Sequence, residues 1–102
     1  MARKRTELHL LLKTILGSSN VYFQPPESRK MEYPAIRYNL DTIDDIAADD
    51  EAYFRKKVYK LTYISDDPDS DVIDKLCDLK FCKHISHYTS ENLNHDMFTI
   101  TW

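Results

Sequence analysis

A single glycine, Gly17, occurs among the 102 residues of this chain. Phosphate-cradling loops need several glycines at fixed spacing, so both the dinucleotide fingerprint and the P-loop are excluded. Cysteine is nearly as scarce. Cys77 and Cys82 alone are too few for a disulfide framework and suit a reducing compartment. No apolar run approaches the roughly 20 residues that span a bilayer. Arg3, Lys4 and Arg5 do precede Leu8, Leu10, Leu11 and Leu12, as a secretory leader would have it. Glu7, His9 and Lys13 interrupt that run, and no small-residue cleavage pattern follows Ile15-Leu16. The sequence therefore predicts an amphipathic helix at this end of a soluble chain made in the cytoplasm. Basic charge is also short: the net charge of −3 argues against a surface drawn as a whole to phosphate. The length allows one domain, spanning residues 1–102.

What is present is periodic. Leu8, Leu11, Leu12 and Ile15 recur at three- and four-residue spacing, which predicts a helix from about Arg3 to Leu16 that Gly17 ends in the left-handed conformation. Val21-Tyr22-Phe23 reads as a short strand stopped by Pro25 and Pro26. Pro34, Ile36, Tyr38 and Leu40 alternate with Tyr33, Ala35, Arg37 and Asn39, the pattern of a half-buried strand. Between Lys57 and Ser65, Tyr59, Leu61 and Tyr63 share one face, and Val58, Lys60, Thr62 and Ile64 share the other. Asp66-Asp67-Pro68-Asp69 predicts a helix start, with Val72, Ile73, Leu76 and Leu79 as its buried stripe and an end near Lys80. Two strands close the chain, about His84 to Thr89 and Met97 to Trp102, with Asn92 and Asn94 as turn residues. Two helices cannot enclose five strands. The expected fold is α+β, with both helices on one face of a mainly antiparallel sheet.

Asp41 to Glu51 contains Asp41, Asp44, Asp45, Asp49, Asp50 and Glu51, interspersed with Ile43, Ile46, Ala47 and Ala48. It joins two strands that a turn of two to five residues would serve, and a solvated loop has no need of the apolar residues. A protruding acidic hairpin arm with its turn near Asp49-Asp50 fits both facts.

Two constellations suggest chemistry. Cys77, Cys82, His84 and His87 are potential zinc ligands, but their spacing is not that of a finger, and strand residues three apart point to opposite faces. Cys77 adjoins Leu76 and is expected to be an ordinary core thiol. His95-Asp96 suggests an oriented imidazole, yet no nucleophile motif accompanies it. The sequence calls for no catalytic residue, no metal and no cofactor.

The blocks Val21-Tyr22-Phe23-Gln24-Pro25-Pro26-Glu27-Ser28, Lys30-Met31, Tyr33-Pro34-Ala35-Ile36 and Tyr38 form a distinctive run. With Tyr59–Ser65 ahead of Asp66-Asp67-Pro68-Asp69-Ser70, and with Tyr88–Thr99, they cover nearly the whole chain. Together they resemble the small tail terminator (tail completion) proteins of tailed bacteriophages. The resemblance implies a virion protein, assembled in the host cytoplasm, at the head-proximal end of the tail. Its copies would form a ring, generally a hexamer, on the tail tube protein. That ring would stop tube growth and offer a joining surface to the head-closure protein, while DNA passes without specific binding and no membrane is involved. It implies that Asp44, Asp45, Asp49, Asp50 and Glu51 face the channel, where carboxylates repel phosphate and let the duplex slide. Ile43, Ile46, Tyr53 and Phe54 are the expected subunit contacts. A head-closure or adaptor protein is the near alternative. A small nucleic-acid-associated module using Arg3–Arg5 and Arg55–Lys57 is the distant one.

Overall fold

A computed structural model describes residues 4–26, 30–47 and 53–102, with side chains except at 44–47 and 53–55. The elements run α1 (Arg5–Leu16), β1 (Val21–Phe23), β2 (Ala35–Ala47), β3 (Tyr53–Ser65), α2 (Asp71–Cys77), β4 (Cys82–Ser90) and β5 (Leu93–Thr101). The five strands form one sheet in the order β1-β2-β3-β5-β4. The pairs β2–β3, β3–β5 and β4–β5 are antiparallel, and β1 lies parallel to β2. The fold is the expected α+β arrangement with a mixed, mostly antiparallel sheet.

Both helices pack on one face. Leu8 and Leu12 of α1 and Leu76 of α2 are fully buried against Tyr38, Leu61, Phe98 and Ile100. Each such leucine contributes about 2 kcal/mol by its removal from water. Register carries this apolar face across the sheet, pairing Ile36 with Tyr63, Tyr38 with Leu61, Leu61 with Phe98 and Tyr59 with Ile100. Gly17 caps α1 at φ 79°, and its N–H donates to the Lys13 carbonyl, as its position after Leu16 predicts. The turn between β4 and β5 is the two residues Glu91 and Asn92, both at positive φ. That is the handedness a two-residue hairpin requires. Asn94, expected in this turn, belongs to β5.

The start of α2 departs from expectation. Asp66–Asp69 are a turn, and the helix begins at Asp71 under a Ser70 cap whose Oγ accepts from the Val72 N–H. Two local bonds hold the turn: the Asp67 N–H donates to Ser65 Oγ, and the Asp69 N–H donates to Asp67 Oδ1, each at 2.9 Å. Asp67 thus binds its own loop, and the buried Tyr63 hydroxyl fixes Ser70 at 2.7 Å. Tertiary contact decided between two competing caps. The helix also stops early, at Cys77, with Asp78 as its C-cap. Cys77 is exposed and is not the core thiol the sequence suggests.

The β2–β3 pairing runs well past the sheet body. β1 pairs with β2 only as far as Tyr38, and β5 reaches only Val58 on β3. From Ile43↔Lys57 to Ala47↔Tyr53 the two strands pair with each other. The expected turn at Asp49-Asp50, and Glu51 with it, lies outside the described residues.

α1 is tied to the sheet through one buried hydroxyl. Arg5 Nη1 donates to the Tyr38 oxygen at 3.0 Å, and the same hydroxyl shares a hydrogen bond of 2.7 Å with His9 Nδ1. Burial, then Lys13 and Arg5, hold the His9 imidazole below its ordinary value of 6.5. The unfolded chain therefore takes up this proton more readily than the folded one. Stability from this site is present above 6.5 and is lost as pH falls through the folded value. In His9→Gln, which keeps an acceptor for Tyr38, the drop in denaturation midpoint from about pH 7 to about pH 5 should be smaller than in the parent. Equal drops would contradict this account.

Candidate functional site

β4 is an edge strand, exposed along nearly its whole length. A bulge between His84 and Ser86 breaks its alternation. Without the bulge, His84 and His87 would point to opposite faces, as the sequence suggests. The extra residue at Ile85 returns both to the helix-bearing face, His84 opposite Phe98 and His87 opposite Asp96. Ser86, between them in sequence, pairs with Met97 on the other face.

Asp96 sits 4% exposed in the stripe that continues as Phe98 and Ile100. Its Oδ1 lies 2.8 Å from His87 Nδ1 and 3.1 Å from His84 Nε2. An ionised carboxylate only accepts, so each imidazole donates through the named nitrogen. That orients both rings and turns His84 Nδ1 and His87 Nε2 away from the carboxylate. The His84 ring also stands edge-on to Phe98, with centroids 5.0 Å apart. Asp96 Oδ2 is buried with no hydrogen-bond partner among the described residues.

The adjacent His95, which the sequence offered as the ring that Asp96 might orient, points to the opposite face. It stacks on Tyr88 at 4.6 Å, and its Nδ1 bonds the Leu93 carbonyl at 3.2 Å. Neighbours along a strand face apart, so Asp96 takes its histidines from the next strand. The sequence signal for this was the acid itself, placed in an apolar alternation where it needs partners.

Thiolate chemistry is disfavoured here. Burial, with a lesser effect of Cys77, pushes the Cys82 thiol up to about 11, and burial followed by Asp74 and Asp78 also raises Cys77. Both remain thiols at neutral pH, and a thiol is a poor nucleophile and metal ligand. Among the described residues, no group of three or more histidine, cysteine or acidic side chains is arranged to hold a metal ion. The cluster holds the edge strand to the sheet and presents two oriented imidazoles.

Of the other sequence-predicted site residues, Ile43, Asp44, Asp45, Ile46, Tyr53 and Phe54 lie in the long β2–β3 extension. Ile43 is 49% exposed. Register places Asp44 across from Lys56, Asp45 across from Arg55, Ile46 across from Phe54 and Ala47 across from Tyr53. Two of the acids thus sit opposite bases, a pairing the composition of the acidic segment alone does not reveal.

Asp96→Ala removes the acceptor shared by two histidines and should destabilise the fold by about 1–3 kcal/mol in denaturant unfolding. Asp96→Asn, which keeps one acceptor oxygen, should lose less. A stability for Asp96→Ala at or above that of the parent would show that burying the carboxylate costs more than its two bonds return.

No protein-family model matches this chain, and no curated protein sequence matches it.

Proposed function

We propose that this protein is a structural subunit of a ring that caps a phage tail tube, as the resemblance in its sequence implies. The observation that supports the reading best is the β2–β3 extension. Beyond Val58, two strands pair with each other but with no third strand among the described residues. An isolated two-stranded ribbon is marginal in water and needs something to pack against. A neighbouring copy supplies that in a closed ring, with Ile43, Ile46, Tyr53 and Phe54 as its apolar contacts.

The lumen of such a ring would be edged by Asp49, Asp50 and Glu51. Asp44 and Asp45, each opposite a base, would add less net negative charge there. Repulsion between this rim and phosphate lets a duplex pass without being held. The mechanism is assembly: lateral contacts close the ring, and its two ends meet the tube protein and the head-closure protein. Head-to-tail contacts of one kind close when the rotation per subunit completes a circle.

Interrupting the gene in the phage that carries it tests this directly. Electron microscopy of the lysate should show filled heads beside unattached tails, many of uncontrolled length. Intact virions in normal number would rule the reading out.

A further inference from the structure

The helices cover one face of the sheet, and on the other, more open face the charges at the paired positions of the five-stranded body are all of one sign. Register places Arg37, Lys60 and Lys83 there, at positions paired with Thr62, Asn39 and Thr99. None of the paired positions on this face within the five-stranded body is an aspartate or glutamate. Tyr88 adds an aromatic that is 45% exposed, and Met97 lies half-buried in the middle. Arginine, tyrosine and methionine are enriched at interfaces, and the two lysines add positive charge that an acidic partner surface would complement.

The complement lies on the same chain. α2 and the turn leading into it carry Asp66, Asp67, Asp69, Asp71, Asp74 and Asp78, all exposed. The single base among residues 66–78, Lys75, already reaches Asp71 at 3.7 Å. This acidic surface is on the helix-bearing side, so one molecule cannot bring its own two patches together.

We propose that the basic open face of one copy docks on the acidic α2 surface of the next. Such a contact is heterologous and repeats from subunit to subunit, as a ring requires. This inference rests on the ring reading and names the surfaces that would join its subunits. A second copy suits the face better than a nucleic acid for two reasons. The whole chain carries a net charge of −3, which repels a polyanion. Tyr88 and His95 are also stacked on each other with 14° between their planes, so each ring has already used one of its faces.

Charge exchange tests the contact in sedimentation experiments on the full chain. The parent should self-associate, and the association should weaken about tenfold or more between about 0.05 M and about 0.5 M salt. R37E/K60E and D66K/D78K should each weaken it by about tenfold or more. Among the described residues none of these four side chains makes a hydrogen bond or ion pair that supports the fold. Circular dichroism checks folding, and R37Q/K60Q replaces the first variant if it does not fold. Mixing the two exchanged variants should restore a large assembly in which they alternate, because each then meets a complementary surface on both sides. Combining all four exchanges in one chain should restore the large assembly. A parent oligomer indifferent to every exchange would overturn this contact and leave the ring reading intact. A parent that stays monomeric to about millimolar concentration would also overturn it, and the ring reading would then be judged on virion images alone. Retention of labelled single-stranded DNA by a monomeric parent, lost in R37E/K60E, would overturn it in favour of a nucleic-acid face.

Discussion

Two helices of 12 and seven residues have to serve a sheet of five strands, and they can cover only one side of it. This constraint shapes the rest of the molecule. The main apolar cluster gathers on the covered face, from Val21 and Ile36 through Tyr38, Tyr59, Leu61 and Tyr63 to Phe98 and Ile100. What remains is a polar open face, a long exposed edge at β4 and a two-stranded extension beyond Val58. Each of these is a surface that a small monomer has little reason to keep and that an assembling subunit can use.

The covered face is not purely apolar, and its polar atoms act as fasteners. The Tyr38 hydroxyl binds Arg5 and His9 and so fixes α1. The Tyr63 hydroxyl binds Ser70 and so sets where α2 begins. The Asp96 carboxylate binds His84 and His87 and so holds the edge strand. Every one of these bonds links a buried group on the central part of the sheet to an element at its periphery. Hydrophobic burial is non-directional and allows helices to slide, whereas these hydrogen bonds specify one position. Arg5 gains a second hold by lying 4.3 Å from the Phe23 ring centroid.

Much of this was legible in the residues. Alternation along Lys57–Ser65 and from Ala35 to Leu40, the stripe of α1 and its Gly17 cap all rest on local rules, and the structure follows them, although Tyr33 and Pro34, expected in the second strand, precede it. What escaped the reading depends on contacts distant in sequence. The sequence put the start of α2 at Asp66-Asp67, whereas the cap is Ser70, held by the Tyr63 hydroxyl. The bulge at Ile85 adds a residue with no compositional mark, so the common facing of His84 and His87 could not be read from their spacing. The parallel seating of β1 beside β2 depends on the path of the chain between them, which no turn motif prescribed. The acidic segment showed its acids plainly, but the bases opposite Asp44 and Asp45 became visible only with the register.

The account stands on the open face being covered by a neighbour when copies assemble. Hydroxyl-radical footprinting across a concentration series measures this most directly. Tyr88 on the open face is 45% exposed, and Leu10 on α1 is 63% exposed. As assemblies form, oxidation of Tyr88 should fall severalfold while that of Leu10 stays constant. Tyr88 remaining as reactive in the assembled protein as in the monomer would contradict the account.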